Sequence, residues 1–186
     1  MQWTNGTNQW LDALSSADPT PGGGAAAAIA GAMGCSLLLM AARTTLKRKT
    51  LQADNRPDLE HHISKLAGLL SELKSLAQQD AQAYQGYLAV AKLPKTDPAR
   101  PQALQDALWQ AACVPADTAT ACKKVLLLLE EMAPIIDKII LSDVSCARHL
   151  LTSAVACCVE NIRANAAYVT QPERAEKLQK LVQSLL

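Results

Sequence analysis

The sequence between Leu59 and Ala91 reads LEHHISKLAGLLSELKSLAQQDAQAYQGYLAVA. Residues spaced alternately four and three apart in this stretch define one helix face, a pattern typical of packing against other helices. That face is formed by Leu59, Ile63, Leu66, Leu70, Leu73, Ala77, Asp80, Tyr84, Tyr87 and Ala91. The pattern predicts one helix of about nine turns, long enough to run through a whole bundle.

Glycine and proline divide the chain before this stretch into two further helices. The first is predicted from about Thr4 to Ser16, and the Pro and Gly residues between Asp18 and Gly24 end it. An apolar helix follows from Ala25 to about Leu51. Because Ala and Gly occupy every face of this helix, it offers more apolar surface than one small bundle can cover, which predicts a homodimer.

Three more helical segments follow the long helix. One begins near Pro101, and Pro115 is expected to break or kink it, because proline lacks the amide donor and collides with the preceding turn. Ser142 is predicted to cap the next helix, with Asp143 favourably placed in its first turn. Residues 170–173 have the spacing of a capping box before a last short helix. With no sustained apolar–polar alternation, the sequence predicts an all-α fold, an up-and-down bundle of long helices in one domain, residues 1–186.

Composition limits the classes of partner. Eighteen basic and seventeen acidic residues leave a formal net charge of +1, so nucleic acid is not expected to bind. The six cysteines lie in apolar stretches, which indicates reduced core thiols in a cytoplasmic protein. No Cys-x-x-Cys pair occurs, and the adjacent residues His61 and His62 point about 100° apart on a helix, so no metal site is expected.

The segment from Ala25 to Ala42 contains no charged residue, so it could alternatively be a membrane-spanning helix. Most of it is Ala and Gly, and its few large apolar residues contribute roughly 2 kcal/mol on insertion scales. A core helix of a bundle has the same composition, since small residues allow close approach of neighbours. We therefore expect no membrane association.

Polar residues that interrupt the predicted seams are the candidate functional residues. Asp80 lies in line with Ala77 and Tyr84, where a buried carboxylate costs several kcal/mol unless it is paired. It is either a structural partner of a Tyr or Lys, or a catalytic carboxylate with a tuned proton affinity. Asn161 and Asn165 lie one turn apart, so they could bind a heterocycle. About equally well, they could cap neighbouring helices or form hydrogen bonds across a subunit seam.

The loop before the apolar helix is a third candidate. Gly22, Gly23 and Gly24 precede a long helix whose first backbone amides are unpaired, which makes a possible anion site. The alternative is that glycine only allows a tight turn or a close approach of two helix ends.

The stretch TPGGGAAA at residues 20–27, continued by Gly31 to Gly34, resembles the opening signature of the formiminotransferase-cyclodeaminase carboxy-terminal domain family. Further positions follow in family order at similar spacings over nearly the whole chain: Asp80, Ala83, Tyr84, Leu93, Pro94, Lys95, Pro115, Ser142, Asp143, Asn161 and Asn165. The resemblance implies a dimeric helical bundle that acts on tetrahydrofolate carrying a one-carbon unit, with folate as the substrate and no separate cofactor.

Two reactions occur in this family. Cyclohydrolases interconvert 5,10-methenyltetrahydrofolate and 10-formyltetrahydrofolate, and cyclodeaminases close 5-formiminotetrahydrofolate to the methenyl form with release of ammonia. By resemblance, the catalytic residues would be Asp80, Lys95 and Lys47. The substrate-binding residues would be Pro21, Gly22, Gly23, Gly24, Tyr84, Ser142, Asp143, Asn161 and Asn165.

The chain departs from the family pattern at Ile136 and Asp137, where members resembling the metazoan enzyme carry a Gly-Asn pair before Ser-Asp. This departure keeps a second function open. The alternative to an enzyme is a non-catalytic folate-binding or helical interaction protein of the same fold.

Overall fold

The computed structural model describes residues 4–186, and these form six α-helices joined by short connections. Two short 3₁₀ turns, Ala53–Asn55 and Lys138–Ile140, precede the third and fifth helices. The helices are α1 Thr4–Ser15, α2 Gly23–Leu46, α3 Arg56–Ala91, α4 Arg100–Met132, α5 Leu141–Ala166 and α6 Pro172–Leu185. The described residues therefore confirm the all-α prediction.

Helices α2 to α5 make an up-and-down bundle in which consecutive helices run antiparallel. Helix α2 packs between α3 and α5, and α4 closes the bundle on the other side. Two contacts at the end where α2 stops fix these directions: the Thr45 hydroxyl accepts a hydrogen bond from the Asp137 amide, and His62 on α3 contacts Glu131 on α4. Helix α1 has no buried residue, so it adds little to the core.

The centre of the bundle is built around α2. Its buried residues are nearly all Ala, Gly and Leu, and Leu38 is fully buried. Close approach explains the small residues, since a Cβ added to Gly34 would lie 2.9 Å from the Ala147 carbonyl oxygen on α5. The core also includes Leu59, Leu66 and Leu73 from the predicted α3 face. Small residues on α2 thus let three long helices converge on it.

Two predicted features of the helical backbone differ in the structure. Helix α2 ends at Leu46 rather than at Leu51, because the chain turns there and Arg48 forms an ion pair with Asp137 at 3.3 Å. Pro115 does not end α4, which continues through it from Arg100 to Met132. The packing of α4 against α3 and α5 stabilises this helix enough to tolerate the missing backbone hydrogen bond.

Both predicted caps are wrong. Ser142 lies inside α5, whose N-cap residue is Ile140, and Asp143 does lie in the first turn as expected. The preceding 3₁₀ turn is capped instead by Asp137, whose carboxylate accepts a hydrogen bond from the Ile139 amide. Helix α6 begins at Pro172 after Gln171, without a side-chain cap, so the capping-box prediction at residues 170–173 fails.

Three of the six cysteines are fully buried and all six are free thiols. Burial raises the pKa of Cys35 and of Cys122 to about 12, and that of Cys158 rises for the same reason. Cys146 and Cys157 are exposed. The prediction of core thiols is therefore confirmed for Cys35, Cys122 and Cys158 and is wrong for Cys146 and Cys157.

Two stretches are long and apolar enough to cross a membrane by length and composition: residues Gly23–Leu46, with a hydropathy of 1.9, and Lys138–Ala166, with 1.2. For the first, 61% of the apolar window is buried inside the bundle. A helix at the centre of a bundle passes the same test, because its neighbours cover it on several sides.

Candidate active site

A cavity of about 200 Å³ opens at the end of the bundle where α2 begins and α5 ends. It brings together side chains and backbone from α2, α3, α4 and α5. The lining residues are Pro19, Thr20, Gly22, Gly23, Gly24, Asp80, Tyr84, Ala111, Asn161, Ala164 and Asn165. Three widely separated parts of the sequence, the glycine loop, the Asp80 turn and the two asparagines, thus meet in one place.

Asp80 is the ionisable residue of this cavity. Its carboxylate lies directly against Gly24, where an added Cβ would overlap with both carboxylate oxygens and with Cγ. Burial raises the pKa of Asp80 above its usual range, and a hydrogen bond from the backbone amide of Ala25 acts in the opposite direction. A carboxyl group with a raised pKa in a cavity is a candidate for proton transfer.

The start of α2 therefore differs from the predicted anion site in one respect. The carboxylate of Asp80 itself accepts a hydrogen bond from the amide of Ala25, in the first turn of the helix. A helix start stabilises negative charge through its unpaired amides and its dipole. Here that stabilisation holds a protein carboxylate in position.

Tyr84 and Asn161 form the sides of the cavity. Tyr84 lies one turn after Asp80, is 36% exposed, and packs against the ring of Tyr87. The side chain of Asn161 would lie 3.3 Å from a Cβ on Gly23, so it faces the glycine loop. Its Nδ2 donates a hydrogen bond to the Cys157 carbonyl, so its amide oxygen is available as an acceptor.

Asn165 compensates for Pro115. A proline at this position cannot donate a hydrogen bond to the carbonyl four residues earlier, which belongs to Ala111. The Nδ2 group of Asn165 donates to that oxygen at 3.0 Å and also to the Asn161 carbonyl at 3.1 Å. Asn165 thus satisfies a freed backbone group in the cavity wall and fixes α5 against α4, a structural role in the interior of α4 that differs from a cap at a helix end.

Several predicted site residues lie elsewhere in the protomer. Lys47, Ser142 and Asp143 belong to the opposite end of the bundle, since Lys47 is about 36 Å from Gly23 along α2 at helical rise. Lys95 is exposed in the turn after α3, and Pro21, which follows a cis peptide bond, does not line the cavity. The sequence patterns did not single out Ala111 and Ala164, and within the loop before α2 they did not name Pro19 and Thr20 as binding residues.

The departure at Ile136 and Asp137 also lies at the opposite end. Both residues line a larger cavity of about 500 Å³, together with Arg48. Ile136 is buried, and Asp137 pairs with Arg48 and caps the 3₁₀ turn that follows it. These contacts give the two residues a structural role there, remote from Asp80 within one protomer.

Among residues 4–186, no group of three or more His, Cys, Asp or Glu side chains is arranged to hold a metal ion. The residues that line the cavity of Asp80 supply a carboxyl group, a phenol, a hydroxyl, two amides and backbone groups. Such a set can move one proton and hold a polar heterocycle by hydrogen bonds.

The sequence model of the formiminotransferase-cyclodeaminase family matches residues 6–184. The chain belongs to this family. A methenyltetrahydrofolate cyclohydrolase of Methylorubrum extorquens is 33% identical over 182 residues, which are 95% of this chain and 86% of that protein.

Two other members of the formiminotransferase-cyclodeaminase family are instructive. The rat formimidoyltransferase-cyclodeaminase is 32% identical over 171 residues, and this chain spans only 31% of its length. The crystal structure of a formiminotetrahydrofolate cyclodeaminase from Thermotoga maritima superposes with a TM-score of 0.87 at 26% identity, covering 96% of this chain and 86% of that one. The fold and the family are thus the same for proteins named after either reaction.

Proposed function

We propose that this protein is a folate one-carbon enzyme that hydrolyses 5,10-methenyltetrahydrofolate to 10-formyltetrahydrofolate. The observation that carries the proposal is the Asp80 carboxyl group, which has a raised pKa and shares one cavity with Tyr84 and Asn161. The substrate class comes from the names of the relatives. We prefer hydrolysis because the Methylorubrum relative, which this chain matches over most of its length, is named for it.

The chemistry requires one group that both takes and gives a proton. Methenyltetrahydrofolate is a cation with its charge shared between N5, N10 and the carbon that joins them. Ionised Asp80 stabilises this charge and removes a proton from the attacking water, whose oxygen bonds to the carbon. The tetrahedral intermediate then loses its bond to N5, which takes the proton from Asp80. The new hydroxyl gives its proton to the ionised Asp80, which releases it to solvent, and the N10-formyl group is formed.

The dimensions of the cavity agree with this assignment. At about 200 Å³ it is smaller than the roughly 300 to 1,000 Å³ usual for sites that enclose a whole drug-sized ligand. It therefore suits the ring system with its one-carbon unit, and the remainder of a folate would extend outside. The oxygen of Asn161 and the backbone of the glycine loop, which line the cavity, would bind the polar edge of such a ring.

Cyclodeamination is the second candidate, supported by the close structural match to the Thermotoga protein. It passes through a similar tetrahedral carbon between N5 and N10 but expels ammonia in place of N5. Asp80 would then give its proton to the leaving amino group. The third candidate is a protein that binds folate without turnover. It is considered because Ile136 and Asp137 depart from the family sequence pattern.

One absorbance experiment separates the three. The methenyl chromophore is followed after adding enzyme to methenyltetrahydrofolate in one cuvette and to 5-formiminotetrahydrofolate in another, with the spontaneous rates subtracted. Catalysed loss of absorbance in the first indicates the cyclohydrolase, and a gain in the second indicates the cyclodeaminase. Binding by calorimetry with neither change would overturn the assignment as an enzyme.

A further inference from the structure

Helices α3 and α4 continue past the cavity of Asp80, whereas α2 begins and α5 ends beside it. Helix α3 runs on from Asp80 to Ala91, about 16 Å further at helical rise. Helix α4 begins at Arg100 and reaches the cavity at Ala111 after the same distance. Residues 81–91 and 100–110 therefore form a two-helix extension of the bundle.

The inner face of this extension is partly exposed and carries two tyrosines. Tyr84 and Tyr87 continue the α3 face that is buried nearer the middle of the bundle, and their ring centroids are 6.0 Å apart. On α4, Leu104 and Ala107 precede Ala111 at helical spacings of three and four, so they lie on the same face as this cavity residue. A largely apolar, aromatic surface thus leads from the cavity along the extension.

Arg100 lies at the far end of this surface. The helical rotation places it about 20° from Ala111 around the α4 axis, on the same face. Its Nη2 donates a hydrogen bond to the Ala91 carbonyl at 3.3 Å, whereas its Nε is shielded from solvent and has no acceptor among the described residues. A buried donor without an acceptor costs free energy, and a guanidinium carries several donors. The side chain would therefore be stabilised by a further acceptor.

The positive charge of Arg100 lacks a partner as well. It forms no ion pair with an acidic side chain of residues 4–186. Its position at the start of α4 is unfavourable for a cation, because the helix dipole is positive there. The described residues that line the cavity of Asp80 include no Lys or Arg. An anionic group that extends from the cavity would meet its positive partner at Arg100.

We propose that the extension binds the aminobenzoylglutamate part of the folate substrate and that Arg100 binds a glutamate carboxylate. This assignment rests on the proposed function. With the one-carbon unit at Asp80, the aminobenzoyl ring lies on Tyr84 and Tyr87 and the glutamate lies beyond it. Tyr84 and Ala91 are about 10 Å apart at helical rise, a length that a benzene ring carrying one amino acid spans. A guanidinium can bind a carboxylate through two parallel hydrogen bonds.

The test of Arg100 compares two substrates in two proteins. Methenyltetrahydrofolate and methenyltetrahydropteroate, which has the same rings but no glutamate, are supplied to the wild type and to Arg100→Ala. In the wild type, we expect KM to be about ten- to a hundredfold higher without the glutamate and kcat to change little, because charge-assisted hydrogen bonds to a non-reacting group are lost. In Arg100→Ala, the two substrates should have nearly the same, high KM. A glutamate effect of wild-type size in Arg100→Ala would overturn the role of Arg100.

Arg56→Ala is the matched control. Arg56 also precedes a proline at the start of a helix, but it is exposed at the other end of the bundle, so the glutamate effect should stay as in the wild type. Arg100→Gln serves if the alanine variant folds poorly, because its amide can still donate to the Ala91 carbonyl while the charge is lost. Arg100→Lys should keep part of the glutamate effect, since the charge is kept. A glutamate effect that is lost in Lys95→Ala but kept in Arg100→Gln would assign the carboxylate to the exposed Lys95 and overturn the proposal.

A second pair of variants tests the aromatic surface. Tyr87→Leu should raise KM for both substrates by about three- to tenfold, because the stacking partner of the aminobenzoyl ring is removed. Tyr87→Phe keeps the ring and should keep the wild-type KM. An unchanged KM in Tyr87→Leu would overturn the placement of the aminobenzoyl ring on this surface.

Failure of the proposed function would be seen separately in the wild type. Turnover with a glutamate effect that does not depend on Arg100 would overturn the binding proposal and leave the enzyme assignment intact. Binding without turnover would overturn the enzyme assignment, and the same comparison of variants would then use dissociation constants from calorimetry. Binding of neither compound by the wild type would overturn both.

Discussion

The carboxylate of Asp80 occupies the space that any side chain at Gly24 would need. One residue lies in the middle of the longest helix and the other at the start of the apolar helix, 56 positions earlier in the chain. The glycine is required because it lets the helix start approach the acid closely enough for the Ala25 amide to donate a hydrogen bond to it.

Gly24→Ala should therefore displace the carboxylate and lower kcat/KM at least about a hundredfold, the lower end of what a general acid or base contributes. We also expect a loss of about 1 to 3 kcal/mol in the free energy of unfolding, because the new methyl group has no space. Gly68→Ala on α3 is the matched control, since a Cβ there meets nothing within 4 Å. It should leave activity unchanged and add about 0.5 to 1 kcal/mol of stability. Equal activities would show that the position of the carboxylate does not matter.

Asp80→Asn should lower kcat/KM by about 10² to 10⁴-fold, because the amide cannot carry a proton between water and N5. The fold should survive with a Tm at or above that of the wild type, since a partly buried charge is removed and the acceptor for the Ala25 amide is kept. Turnover and thermal unfolding are measured on one preparation. Glu72→Gln, an exposed carboxylate on the same helix, serves as the control for charge removal. Wild-type turnover in Asp80→Asn would end the catalytic assignment.

The pH dependence of activity and of stability should have opposite signs. Activity needs the ionised carboxylate, so kcat/KM falls as the pH decreases through the pKa of Asp80, which lies above that of an ordinary aspartate. Because the folded state holds this proton more tightly than the unfolded chain does, the stability contributed by Asp80 falls as the pH rises through the same range. Both effects should be absent from Asp80→Asn, measured by kinetics and by denaturant unfolding across acidic to neutral pH.

Mutation of the two asparagines should have different effects, one mainly on KM and the other mainly on stability. Asn161→Ala is expected to raise KM about tenfold with a small change in stability, because its oxygen would accept a hydrogen bond from the substrate and its Nδ2 bond lies within one helix. Asn165→Ala should cost about 1 to 3 kcal/mol of stability, because it leaves the Ala111 carbonyl without the donor that replaces the missing proline amide. The reverse result, with Asn161→Ala the less stable protein, would contradict these roles.

Sequence patterns predicted the helices well because burial follows the four–three spacing. Leu59, Leu66 and Leu73, which the α3 spacing places on one face, are all fully buried. Caps were harder to predict, because Ser142 has the right chemistry for an N-cap, yet the turn fixed by Asp137 starts the helix before it. Tertiary contacts of Asp137 with Thr45 and Arg48 decide that start, and no local pattern contains them.

For the candidate site too, the sequence predicts features within one helix better than contacts between helices. The unusual polar residues could be found singly, since Asp80 and Asn161 each interrupt an apolar face. Their meeting with the glycine loop depends on which ends of the helices come together, which the spacing along one helix does not specify. The hydrogen bond between Asn165 and Ala111 is an example. Pro115 predicts that one backbone carbonyl of its helix lacks a donor, but only the packing of α5 on α4 shows that Asn165 supplies it.

The reactivity of the three buried cysteines can be used to measure how often the bundle opens. A thiol reacts with alkylating reagents as the thiolate, and the raised pKa values of Cys35 and Cys122 suppress that form while the protein stays folded. Cys146 and Cys157 are exposed and should be labelled at once. The slow labelling rate of each buried cysteine would then report how often the central helices separate around that residue, under conditions where nearly all molecules are native.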